Sequence, residues 1–247
     1  MRLSSEILVL LLAAGLYLYD SILLLYCDEG VIAPRGDHWR VRFGSRVRLR
    51  GREFFLPNLL LPHRPVFRLT WRPDLAGTSE FQRLDQLKTQ FGPLGLLVWL
   101  MAIALFVIVP LGFFTRFGES LSIAAICMLY GFIVAALVWV GFHRQRFQLT
   151  GGRFVIVAIE VLICSPFGIN LVRRLSTNMA LNESLLDAAR NLQRPEHWIE
   201  SRKEFIDRLQ ELIDVESDDS NEIAALRASQ KLLSDDLNGS LPKHSPR

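Results

Sequence analysis

Four arginines alternate with apolar residues in one short stretch: Arg40, Arg42, Arg48 and Arg50 are interleaved with Trp39, Val41, Phe43, Val47 and Leu49. A period of two is the signature of β-strands, so the arginines are expected on one sheet face and the apolar side chains on the other. Like charges placed opposite one another on a sheet repel unless an anion answers them. Phospholipid headgroups would do so, since a basic residue near an anionic leaflet gains about 1 kcal/mol. The acidic tail of the same chain, or Glu53 and Asp37, would also serve. The alternative is a solvated face whose arginines splay into water.

Two acids lie inside otherwise apolar stretches, Asp20 and Glu160. An ionisable group near a bilayer centre costs at least about 2.5–3.5 kcal/mol, which makes each a candidate for a proton or cation pathway. Both also have simpler readings: Asp20 close to the interface, Glu160 hydrogen-bonded to a neighbouring helix.

Most other chemistry is excluded. The five histidines show no H-E-x-x-H and no Cys/His spacing suited to zinc. There is no phosphate-binding glycine loop, no G-x-S-x-G and no dinucleotide fingerprint. No catalytic residue, metal ligand or cofactor is therefore assigned, and no nucleic-acid-binding pattern is present. The three cysteines form no C-x-x-C and give no disulfide framework.

The elements that must position these residues follow from hydropathy. Half of the 247 residues are hydrophobic, and they are clustered. Residues 93–115 and 119–142 are each long and apolar enough to cross a bilayer, which needs about 20 residues. Residues 1–26 read as a first membrane helix, because the apolar run outlasts the roughly 7–15 residues of a signal-peptide core. Residues 154–172 form a fourth, marginal segment containing Glu160, Ser165, Pro166, Gly168 and Asn170; a re-entrant hairpin turning near Pro166 is the alternative. The fold class expected is thus a membrane α-helical protein with four transmembrane helices, a small β-rich module at 27–92 and a helical C-terminal tail at 175–238, with 239–247 disordered. Its overall look is similar to small multi-span proteins of bacterial inner membranes.

Charge separates the two soluble parts. Residues 27–92 hold twelve Lys or Arg against seven acids, whereas the chain from Leu175 onward holds nine against 14. Within the β-module, pairing Phe43 with Val47 and Val41 with Leu49 would gather the apolar residues on one face and set Arg40 beside Arg50 and Arg42 beside Arg48. In the tail, Trp198, Phe205, Leu209 and Leu212 form an amphipathic stripe able to dock a partner helix.

If all four segments cross, the module and the loop after residue 142 share one side, with 15 Lys or Arg, and the tail lies opposite. The positive-inside rule then favours a cytoplasmic module in a cell membrane, with both termini outside. If the fourth segment is re-entrant, the acidic tail returns to the side of the basic module and can dock on it. Gly131 and Ala135 give a small-x-x-x-small spacing that permits close helix packing and a homo-oligomer. The function expected is a non-enzymatic scaffold or accessory subunit working through its basic module and acidic tail, with membrane lipids and other membrane or peripheral proteins as partners. A small transporter or channel component using Asp20 and Glu160 is the second reading.

Overall fold

The computed structural model describes residues 5–36, 38–45, 47–70, 81–115, 118–181 and 184–215, with residues 227, 230, 231, 233 and 234 of the tail. Asp37, Trp71, the 239–247 terminus and the Leu212 side chain lie outside the described residues.

The first helix, α1 (Ser5–Ser21), stops earlier than hydropathy suggests. Leu23–Leu25, expected as its last turn, form strand β1 instead. Five more strands follow: β2 (Glu29–Arg35), β3 (His38–Arg42), β4 (Arg48–Leu49), β5 (Arg52–Phe55) and β6 (Phe67–Thr70). They make two antiparallel three-stranded sheets, ordered β1-β5-β4 and β3-β2-β6.

This corrects the expected register. β3 does not pair with the strand after Gly44; it pairs with β2, Val41 opposite Ile32 and Arg40 opposite Ala33. β4 pairs with β5 in the other sheet, Arg48 opposite Glu53. Both hairpins turn on two residues. One has Gly36 at φ 65°, and the other places Arg50 and Gly51 at φ 51° and 77°. Positive φ at both central positions of the β4–β5 turn matches the twist of the flanking strands, and with β2 and β3 also closing on a two-residue turn, β3 and β4 belong to different sheets.

Helices α2 (Phe81–Gln90), α3 (Gly92–Ile103), α4 (Val109–Phe114) and α5 (Gly118–Phe142) follow. A π-helical turn at Ala104–Ile108 joins α3 to α4. Pro110 lacks an N–H, so the helix widens there, and Val109 donates to Ala104 five residues back. The continuous stretch Gly92–Phe114 and the helix Ser120–Phe142 are long and apolar enough to cross a membrane.

The 154–172 segment is not one straight helix. It breaks into α6 (Gly151–Ile163), α7 (Ser165–Ile169) and α8 (Leu171–Thr177), with Cys164 out of helical geometry just before Pro166. Gly168 in α7 reaches Val161, Ile133 and Met101. Met101 lies nine residues below the start of α3, about 14 Å at the rise of an α-helix. Ser176 at the other end accepts a hydrogen bond from Val66 N–H of the β-module, 2.9 Å. The segment therefore descends, turns at Cys164–Pro166 and climbs back to the end it left.

α9 (Leu185–Leu192) and α10 (Pro195–Val215) complete the described fold. Expected opposite the module if all four segments cross and beside it if the fourth is re-entrant, the tail packs on it. Phe43 and Phe205 meet edge to face at 4.8 Å, and His38 stacks on His197 at 5.1 Å. The main core runs without interruption from Trp39, Val41 and Phe67 through Leu94, Ile133 and Val172 to Phe205 and Leu209. A smaller cluster of Leu25, Val31, Phe55 and Val66 lies between the two sheets.

Candidate functional site

Strand register places Arg40 and Arg42 opposite Ala33 and Val31. Paired residues share a sheet face, so both arginines stand on the face turned from the main core, toward the other sheet. There they line a cavity of about 340 Å³ with Arg35, Arg64 and Arg173. Its remaining walls are Val31, Ala33, Pro34, Phe55, Pro57, Asn58, Leu61 and Val66. Five arginines line it, and among the described residues no Asp, Glu, Lys, His, Ser or Cys does.

Arg173 is the anomaly. Only 3% of it is exposed. Its guanidinium donates to Asn170 Oδ1 at 3.1 Å, Ser21 Oγ at 3.4 Å, Tyr17 Oη at 3.5 Å and the Asn58 carbonyl. All of these acceptors are neutral, and Nε has no partner. Among the described residues, no ion pair joins any of the five cavity arginines to a carboxylate. Asp20 acts on Arg173 from beyond ion-pair distance and offsets its charge only in part; a buried charge costs several kcal/mol even after relaxation, so an anion in the cavity would be stabilised there.

Tyr17 and Ser21 come from the last turns of α1, and Asn170 and Arg173 from the returning limb. Tyr17 Oη also donates to the Leu59 carbonyl at 2.6 Å, pinning the Pro57–Pro62 loop against α1. That loop projects Leu60, 85% exposed, beside the cavity. His63, next along, has its pKa pushed below the usual imidazole value by burial, then by Arg64 and Arg173.

The other arginines of the expected basic face go elsewhere. Arg48 meets Glu53 at 3.6 Å and Glu211 of α10 at 3.4 Å, so an acid of the tail does answer one of them. Arg50 is exposed in the β4–β5 turn. The four expected residues thus separate into a cavity pair and an edge pair.

Asp20 and Glu160 converge on one partner, Arg174, which contacts Asp20 at 3.7 Å and donates to Glu160 Oε2. Fourteen residues apart, Glu160 and Arg174 could not meet along a straight helix; the turn at Cys164 brings them together. The tail stripe is occupied as well. Phe205 and Leu209 are buried in the chain's own core, and Trp198 packs against it. Gly131, by contrast, has open space where a side chain would project, with no helix against it.

Arg35, Arg64 and Arg173 were not singled out by sequence reasoning. Arg35 and Arg64 flank turns, and Arg173 read as a juxtamembrane charge; only the fold brings them together. Compared with family models, curated proteins and solved structures, the chain matches none.

Proposed function

We propose that the chain is an integral membrane accessory protein that binds anionic lipid headgroups in the arginine cavity, at the bilayer surface. The observation that carries this reading is the cavity lined by five arginines with no carboxylate among the described residues of its wall, at the level where α1 passes into the β-module. Three crossings, by α1, α3–α4 and α5, together with the re-entrant α6–α8 hairpin, leave the module and the tail on one side. The apolar side chains that remain exposed support the placement: Leu8, Leu11 and Leu12 on α1, Ile123, Val134 and Val138 on α5, and Val155, Ile156 and Ile163 on α6. A belt of this extent is unusual for a protein surrounded by water. With 15 Lys or Arg in the module and the loop after α5, that side is cytoplasmic by the positive-inside rule.

The lining also speaks for binding rather than catalysis. Arginine stays protonated at any physiological pH, so the described residues of the wall, arginine, asparagine and apolar groups, supply no general base and no nucleophile. Transport through Asp20 and Glu160 is the weaker reading, because both acids share the cation of Arg174. Anionic lipid added to the detergent-purified chain in neutral micelles should raise its unfolding temperature, by binding the folded state. The gain should disappear in R40Q/R42Q/R64Q. An equal response to zwitterionic lipid would overturn the reading.

A further inference from the structure

Resting on the anionic-headgroup reading, we propose that the cavity selects a membrane lipid ending in a phosphomonoester over the phosphodiester lipids that make up a bulk leaflet. Three observations converge on that ligand class. The first is charge. Five arginines line the cavity, and no carboxylate does among the described residues. A phosphodiester brings one negative charge, whereas a phosphomonoester near neutral pH brings up to two.

The second is oxygen count. Arginine binds phosphate best through paired N–H donors aimed at unsubstituted oxygens. A phosphomonoester presents three such oxygens and a diester two. Arg35, Arg40, Arg42, Arg64 and Arg173 all line the cavity, so more than one paired donor set is within reach of a group with three free oxygens.

The third is placement. The cavity, about 340 Å³, holds more than a bare phosphate group would fill. Its wall includes Leu61, next in the chain to Leu60, which is 85% exposed, on a loop tied to the apolar helix α1 through Tyr17. Apolar side chains beside a phosphate-sized cluster of charge suit a headgroup that stays attached to its acyl chain, not a free solute.

No described residue of the wall titrates near neutrality, and His63, off the wall beside Arg64 and Arg173, acts alike on either lipid, so a difference in pH dependence between the two lipids comes from the ligand. The second ionisation of a phosphate monoester falls near pH 6. Binding should therefore strengthen, relative to that of a diester, as pH rises from 5 to 7.5.

The test uses the full chain in phosphatidylcholine nanodiscs doped with phosphatidate or with phosphatidylglycerol, and binding is read by native mass spectrometry at pH 7.5 and pH 5. Phosphatidate should bind at least tenfold tighter at pH 7.5, with the advantage shrinking at pH 5. R40Q/R64Q should lose the preference; this variant keeps Arg173, whose removal threatens the fold. Equal, arginine-dependent binding of the two lipids overturns the selectivity and leaves the headgroup reading standing. Binding of neither, or binding indifferent to the substitutions, overturns both. Competition by millimolar inorganic phosphate or glycerol 3-phosphate at the affinity of phosphatidate would make the ligand a free phosphate and overturn the lipid assignment.

Discussion

Arg208 of α10 donates to Glu53 Oε2 of β5 at 2.6 Å and to the Gly44 carbonyl at 2.7 Å, with both side chains nearly excluded from solvent. This pair joins the acidic tail to the basic module. The guanidinium also lies over the Phe43 ring, 4.8 Å from its centroid.

Removing one partner leaves the other buried with only a longer contact, Arg48 at 3.6 Å from Glu53 or Glu204 at 3.7 Å from Arg208, so the cost should approach but not exceed the roughly 3–5 kcal/mol of a broken buried pair. E53Q and R208Q should each lower the unfolding temperature and expose α10 to limited proteolysis. E53L/R208M should recover most of the loss, because the pair is then replaced by apolar groups. Unchanged protease resistance in both single variants would show that the pair does not hold the tail.

The same interface has an apolar half. Phe205 is fully buried against Phe43 and Trp198. F205A should destabilise the protein by about 3–5 kcal/mol, the usual cost of emptying a buried aromatic site. Denaturant unfolding in detergent measures it, and a loss below 1 kcal/mol would mean that α10 is not part of the core.

The Arg174 contacts make a topological prediction. Reporters fused after Gln90 and after Val215 should report the same side of the membrane, and a reporter at the N-terminus the other. Opposite signals after Gln90 and Val215 would restore a fourth crossing. D20N and E160Q, reconstituted in vesicles, should leave proton flux at the background of empty vesicles, as the parent does.

His63 supplies a pH dependence. Its folded pKa is lowered, so between that value and the ordinary 6.5 the unfolded chain binds more protons than the folded one. The contribution is complete above pH 6.5 and is lost as pH falls below it. Stability should therefore decline from pH 7.5 to pH 5, and H63Q should flatten part of that slope. A slope identical to the parent's would remove His63 as its source.

Much of this architecture was legible in the sequence. The long apolar runs marked the helices, and alternation marked Trp39, Val41, Phe67 and Leu69 as inward-facing, where they are buried. β2 escaped notice because Glu29–Arg35 is buried over four consecutive residues and so lacks alternation. Without β2, β3 had no partner except the strand after Gly44, which produced the wrong register. The turns at Gly36 and at Arg50–Gly51 were the available signal, since a glycine-containing two-residue loop between strands marks a hairpin. The break at Cys164 was weighed through Pro166, but a single proline does not distinguish a kinked crossing from a reversal. The cavity could not be read at all. Its arginines come from five separate positions whose convergence depends on sheet order and on the return of α8.

A photoactivatable residue in place of Leu61, on the cavity wall, tests the central claim most directly. Illumination of the full chain in native membranes, followed by mass analysis of the peptide, should yield an adduct with an anionic phospholipid. R40Q/R42Q/R64Q should reduce that adduct at least several-fold. An adduct with zwitterionic lipid in equal yield, or none at all, would contradict an anion-binding cavity at the bilayer surface.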